Sequence, residues 1–78
     1  MVTVHRAFGF RFVIFANDHA PPHVHVFGHG GEAKIDLVGD VTIVWAKGIA
    51  RSDLRRLLSE ARQRQVDLLG WWEALHVR

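Results

Sequence analysis

The residues able to do chemistry crowd into one stretch, Asn17-Asp18-His19-Ala20-Pro21-Pro22-His23-Val24-His25-Val26-Phe27-Gly28-His29, which holds both prolines and four of the six histidines of a 78-residue chain. Histidine changes charge near neutral pH and ligates transition metals as the neutral ring. Cysteine is absent, so no disulfide staples the fold and any metal must be held by imidazole and carboxylate.

Three chemistries fit this stretch. His23-x-His25 places two imidazoles on one side of a strand, and a loop that turns Asp18 or His19 back onto them completes three ligands of a zinc-type site with an open water position. Metal-free acid/base work on a phosphodiester is the second. There one imidazole takes a proton and another returns it to the leaving oxygen, from opposite sides of the phosphate, with Arg11 or a helix arginine neutralising the developing charge. The third is plain: loop and strand-end histidines on a wet surface, with Asp18 turning the backbone.

The elements that position these residues follow from periodicity. Phe10-Arg11-Phe12-Val13-Ile14-Phe15 reads as a strand buried on much of both faces, and Thr3 to Arg6 before it as a short edge strand or an extended arm. Residues 16–22 are loop, because Pro21-Pro22 cannot continue a ladder. A strand begins at His23, with His23, His25 and Phe27 on one face and Val24 and Val26 on the other, so the two imidazoles root about 6 to 7 Å apart. Gly28 to Gly31 make a hairpin turn, Glu32 to Leu37 alternate as a half-buried strand, and Val41 to Trp45 form another after a turn at Gly39-Asp40.

From Ser52 the period changes to that of an amphipathic helix. Leu54, Leu57, Leu58 and Ala61 form one stripe, and Leu68, Leu69, Trp72 and Leu75 repeat it. Ser52 is the chemically better N-cap, with Ala50 as the alternative position, and Asp53 suits the helix dipole. An unbroken helix over 52–76 would be about 36 Å long, which favours a break near Gln63. Gly70 weakens the second segment or permits close packing. Trp72 belongs to the core stripe, whereas Trp71 falls off it; core or rim packing is the favoured reading for Trp71, with a partly exposed ring that stacks on a base or anchors a partner as the alternative. The order predicts a single α+β domain over 1–78: an antiparallel meander of about four strands, then one or two helices on one face, leaving His23 and His25 on the other.

Composition bounds the class. With 49% apolar and 23% charged residues the chain is globular rather than disordered, and no apolar run approaches the ~18 residues that span a bilayer. The N-terminus lacks a signal peptide's apolar core, so a cytoplasmic location is expected. The net charge is +2, but residues 50–78 carry six arginines against four acids, an excess compatible with nucleic acid, an acidic partner or a solvated helix face.

The run from Asn17 to Val26, with Gly31-Glu32-Ala33-Lys34, Trp45-Ala46-Lys47-Gly48, the leucine-bearing helix and Leu68-Leu69-Gly70-Trp71-Trp72, resembles the small bacterial proteins of the domain of unknown function (DUF) 4160 family. Pro21-Pro22-His23-Val24-His25-Val26 followed by Glu32-Ala33-Lys34 is the most specific part. The resemblance implies a stand-alone domain encoded beside another small protein, an arrangement like a toxin-antitoxin pair, and marks Pro21, Pro22, His23, His25, Glu32 and Lys34 as signature positions. The expectation is therefore a toxin-like protein with a small cognate protein as partner. Its candidate activity is metal-independent RNA cleavage by His23, His25 and His19, with Arg11, Lys34, Glu32 and Trp71 as binding residues. The alternative is a non-catalytic module that binds a divalent metal such as zinc (through His23, His25, Asp18 and His19), nucleic acid or a partner, including the antitoxin side of such a pair. Dimerisation through a strand edge or the tryptophan-bearing helix is compatible with either.

Overall fold

The computed structural model describes residues 1–76. Five strands, β1 (Val2–Ala7), β2 (Phe10–Ile14), β3 (His23–Gly28), β4 (Gly31–Asp36) and β5 (Thr42–Lys47), precede two helices, α1 (Arg51–Gln63) and α2 (Gln65–His76). The strands form one antiparallel sheet in chain order, because each connection is too short for anything but a neighbour. The fold is α+β, as expected, and the meander runs to five strands. The N-terminal segment is a full strand rather than an arm, paired from Val2 opposite Ile14 to Ala7 opposite Phe10 with an irregularity between Thr3 and His5.

Alternation sorts the sheet into two faces. Phe10, Phe12 and Ile14 of β2, Val24 and Val26 of β3, and Ala33 and Ile35 of β4 are fully or almost fully buried and join Leu57, Ala61, Leu68 and Trp72 of the helices in one core. Leu54, Leu58, Leu69 and Leu75 pack at its margin, so both helical stripes face the sheet. Burying a side chain of this size contributes about 1.5–3 kcal/mol.

The helices break at Arg64, whose N–H donates to the Glu60 carbonyl at 3.0 Å before Leu68 N–H returns to the Arg64 carbonyl at 2.8 Å. Gln65, just past the break, donates its side-chain amide to the carbonyls of Leu37 (2.7 Å) and Gly39 (3.0 Å). The break thereby fastens α2 to the loop between β4 and β5. The N-cap of α1 is Ala50, in extended conformation and without a side-chain cap bond. Ser52, the better cap by chemistry, lies inside the helix because the chain turns at Gly48, whose φ of +70° suits glycine.

At the hairpin ends, Gly31 abuts Gly48: a Cβ on Gly31 would come within 2.6 Å of the Gly48 carbonyl carbon and of Ile49 Cγ1. No helix of the described residues is long and apolar enough to cross a membrane.

Candidate metal centre

The loop from Phe15 to Pro22 is folded back over the start of β3. Asp18 N–H donates to the Phe15 carbonyl at 3.0 Å and Leu37 N–H to the Pro22 carbonyl at 3.0 Å, which closes a turn at one end and ties the other to the strand-end beside it. The carboxylate of Asp18 is thereby brought to His23 and His25. Asp18 Oδ2 lies 2.9 Å from His23 Nε2 and 3.3 Å from His25 Nε2. One ligand atom from each of Asp18, His23 and His25 can be chosen so that all three fall within 4.8 Å of one another.

The tautomer of His23 is set by its other nitrogen. Nδ1 is 2.8 Å from the Pro21 carbonyl oxygen, which can only accept, so Nδ1 carries hydrogen. In the neutral ring Nε2 then presents a lone pair to a carboxylate oxygen. Two lone pairs at 2.9 Å need a proton or a cation between them. Orientation of a ligating imidazole by a backbone carbonyl on its far nitrogen is the usual support of a metal-binding histidine.

His25 is the less satisfied ring. Its Nδ1 is buried without a hydrogen-bond partner, and the nearest carboxylate oxygen, Glu32 Oε2, stands at 3.6 Å. Pairing places Lys34 opposite His25 and Trp45 opposite Lys34.

Aromatic rings wall the cluster. Phe15 meets the edge of His25 at 5.0 Å between centroids, Trp72 lies 5.1 Å from His23, and Trp45 is 6.3 Å from His25. His23 is buried, while Asp18 and His25 are half-buried. Such a setting strengthens any charge interaction inside it relative to water.

Of the residues singled out in the sequence, Asp18, His23 and His25 converge, Glu32 and Lys34 flank them, and His19 is exposed in the loop outside the cluster. Trp71 is 46% exposed rather than packed in the core; it lines a separate groove with Val4, His5 and Val66.

Periodicity held no signal for two histidines. His76 ends α2, stacked on Trp72 at 3.8 Å, with Nδ1 at 2.8 Å from the Trp72 carbonyl and Nε2 at 3.1 Å from the Asp18 carbonyl, so it links the C-terminal helix to the Asp18 loop. His5 turns to the core side, edge-on to Phe12 and 2.6 Å from Glu60 of α1. That bond is the largest influence holding the Glu60 carboxyl below its ordinary value of 4.5; burial opposes it, and Arg64 assists.

The family model described as Domain of unknown function (DUF4160) matches residues 9–73. The chain belongs to that family. The match spans β2 to α2 and so takes in every DUF4160 residue of the Asp18–His23–His25 cluster, leaving His5 and His76 outside it. No curated protein and no solved structure matches the chain.

Proposed function

We propose that this DUF4160 protein is a metal-binding module whose centre is Asp18, His23 and His25. The observation that carries the reading is the convergence of one oxygen and two nitrogen donors, with the His23 lone pair aimed inward by the Pro21 carbonyl. A tetrahedral ion with ligands at about 2.0–2.1 Å separates its donors by about 3.3 Å. The Asp18–His23 and Asp18–His25 separations of 2.9 and 3.3 Å fit that spacing with small side-chain adjustments.

An N,N,O donor set without thiolate suits divalent zinc, iron, nickel or manganese and does not suit Cu(I). Three protein ligands would leave one coordination position open, where a bound ion would supply Lewis-acid chemistry. On binding, His25 would ligate through Nε2 and turn its Nδ1–H toward Glu32.

Acid/base cleavage of RNA by two histidines, the activity expected of a toxin-like protein, draws less support. That chemistry needs the two imidazoles on opposite sides of a phosphate, whereas both Nε2 atoms here point at the same carboxylate oxygen.

Native mass spectrometry on untagged protein tests the proposal. One equivalent of zinc or nickel retained by the parent and lost in His25→Ala is the expected result. Equal retention by parent and variant, or none by the parent, overturns it.

A further inference from the structure

The sheet carries a second group of residues on the face of His25, one strand repeat further along. Arg6 of β1 pairs with Arg11 of β2, Arg11 with Phe27 of β3, Phe27 with Glu32 of β4 and Glu32 with Lys47 of β5. Residues directly paired across antiparallel strands share a face, so all five strands contribute one side chain to a single row. These residues line an open cavity of about 760 Å³.

Like charges directly opposite each other destabilise a sheet, and Arg6 opposite Arg11 is such a pair. Among the described residues the side-chain ion pairs involve His5, His23, His25, Arg56 and Arg64 as the cationic partners; none neutralises Arg6, Arg11 or Lys47. The row's one carboxylate, Glu32, leans toward His25. Three cations against one acid therefore stand at the end of the sheet, and the stabilisation they forgo returns when an anion joins them.

The spacing bears on which anion. Five strands about 4.8 Å apart put Arg6 and Lys47 about 19 Å from each other, too far for one phosphate and suited to successive phosphates of an extended strand. One row along, Trp45 is 38% exposed and edges the metal cluster, an aromatic platform of the kind on which bases stack. We propose that this face binds single-stranded nucleic acid, with phosphates on Arg6, Arg11 and Lys47 and a base on Trp45, across the mouth of the Asp18–His23–His25 cluster. The inference rests on the cationic row and not on the metal reading.

The test is fluorescence anisotropy with labelled 12-nucleotide RNA and DNA strands of one sequence, on chelator-treated protein, repeated with zinc. Three neutralised phosphates give a log–log salt slope of about −2, and each of Arg6→Gln and Lys47→Gln should lower its magnitude by about 0.7. Trp45→Ala should weaken binding on the order of tenfold, while Arg55→Gln, exposed on α1, should leave it unchanged. Preference for RNA or DNA identifies the source of the phosphates. No saturable binding, equal losses in all three arginine and lysine variants, or tight binding of a mononucleotide with no gain for the longer strands overturns the proposal. Because the first arm is metal-free, its outcome is independent of whether the cluster holds an ion.

Discussion

Asp18→Asn separates the metal role of the Asp18 carboxylate from its role as a hydrogen-bond partner. Asn keeps the size of the side chain and one oxygen, so the loop still closes through the Asp18 N–H to Phe15 bond. In metal-free protein the asparagine amide can donate to the Nε2 lone pair of His23, which stands 2.9 Å from the Asp18 carboxylate, so a hydrogen bond is kept and stability should change by no more than about 1 kcal/mol. For a domain of this size that keeps any shift of the melting temperature within about 4–8 °C. Metal acts on a different scale. An ion at one hundred times its dissociation constant stabilises the native state by about 2.7 kcal/mol, which corresponds to about 11–22 °C. The parent should show that rise with zinc or nickel in a thermal melt followed by circular dichroism, and Asp18→Asn should show little of it. An equal metal-induced rise in both proteins would refute the assignment of Asp18 as a ligand, and a flat response in the parent would refute the centre itself.

His76→Ala cuts the link from α2 to the backbone carbonyl of Asp18 while leaving every proposed donor atom in place; metal affinity measured by competition with a chelating dye should fall about 10- to 100-fold, and an unchanged affinity would assign His76 to packing alone. Gly31→Ala drives a methyl group into Gly48 and Ile49 and should cost about 1–3 kcal/mol in chemical denaturation. The Glu60 carboxyl is held down mainly by His5, so its contribution is complete above the ordinary value of 4.5 and is lost as pH falls through the lower folded value. The stability advantage of the parent over Glu60→Gln should therefore shrink on acidification below about pH 4.5, and a difference constant with pH would show that the ionised form is not the one favoured.

The sheet and the helices were legible because each obeys a single period. Glu32 to Leu37 alternate without exception, and the structure buries Ala33, Ile35 and Leu37 while leaving Glu32, Lys34 and Asp36 half-buried. The leucine stripes likewise met the core at the expected positions. The edge strand was harder to read, since Val2-Thr3-Val4-His5-Arg6-Ala7 gains its partners from β2, from the core against which Val4 and Ala7 pack, and from Glu60, 55 residues away. His76 was invisible for the same reason: its partner Asp18 is 58 residues distant, and nothing local at the end of α2 distinguishes a tether from a solvated ring. His23-x-His25 could be placed on one face from strand geometry alone, but which of Asp18 and His19 the loop brings to that pair depends on the turn closed by Asp18 N–H on the Phe15 carbonyl, which no spacing rule encodes.

The same geometry explains why the cluster and the cationic row can coexist on one sheet face. His25 and Phe27 are successive outward residues of β3, so Glu32, paired with Phe27 and 3.6 Å from His25, stands between the two sites. Drawn toward His25 when that ring ligates through Nε2, the Glu32 carboxylate would swing away from Lys47 and Arg11 and leave the row more positive. An anion bound along the row would in turn favour Glu32 moving toward His25, supporting the Nδ1–H that metal ligation requires. The coupling is reciprocal: metal should tighten nucleic-acid binding by the same factor by which nucleic acid tightens metal. In Glu32→Gln both factors should collapse toward one while each ligand still binds alone, and persistence of the coupling in that variant would remove Glu32 from the connection.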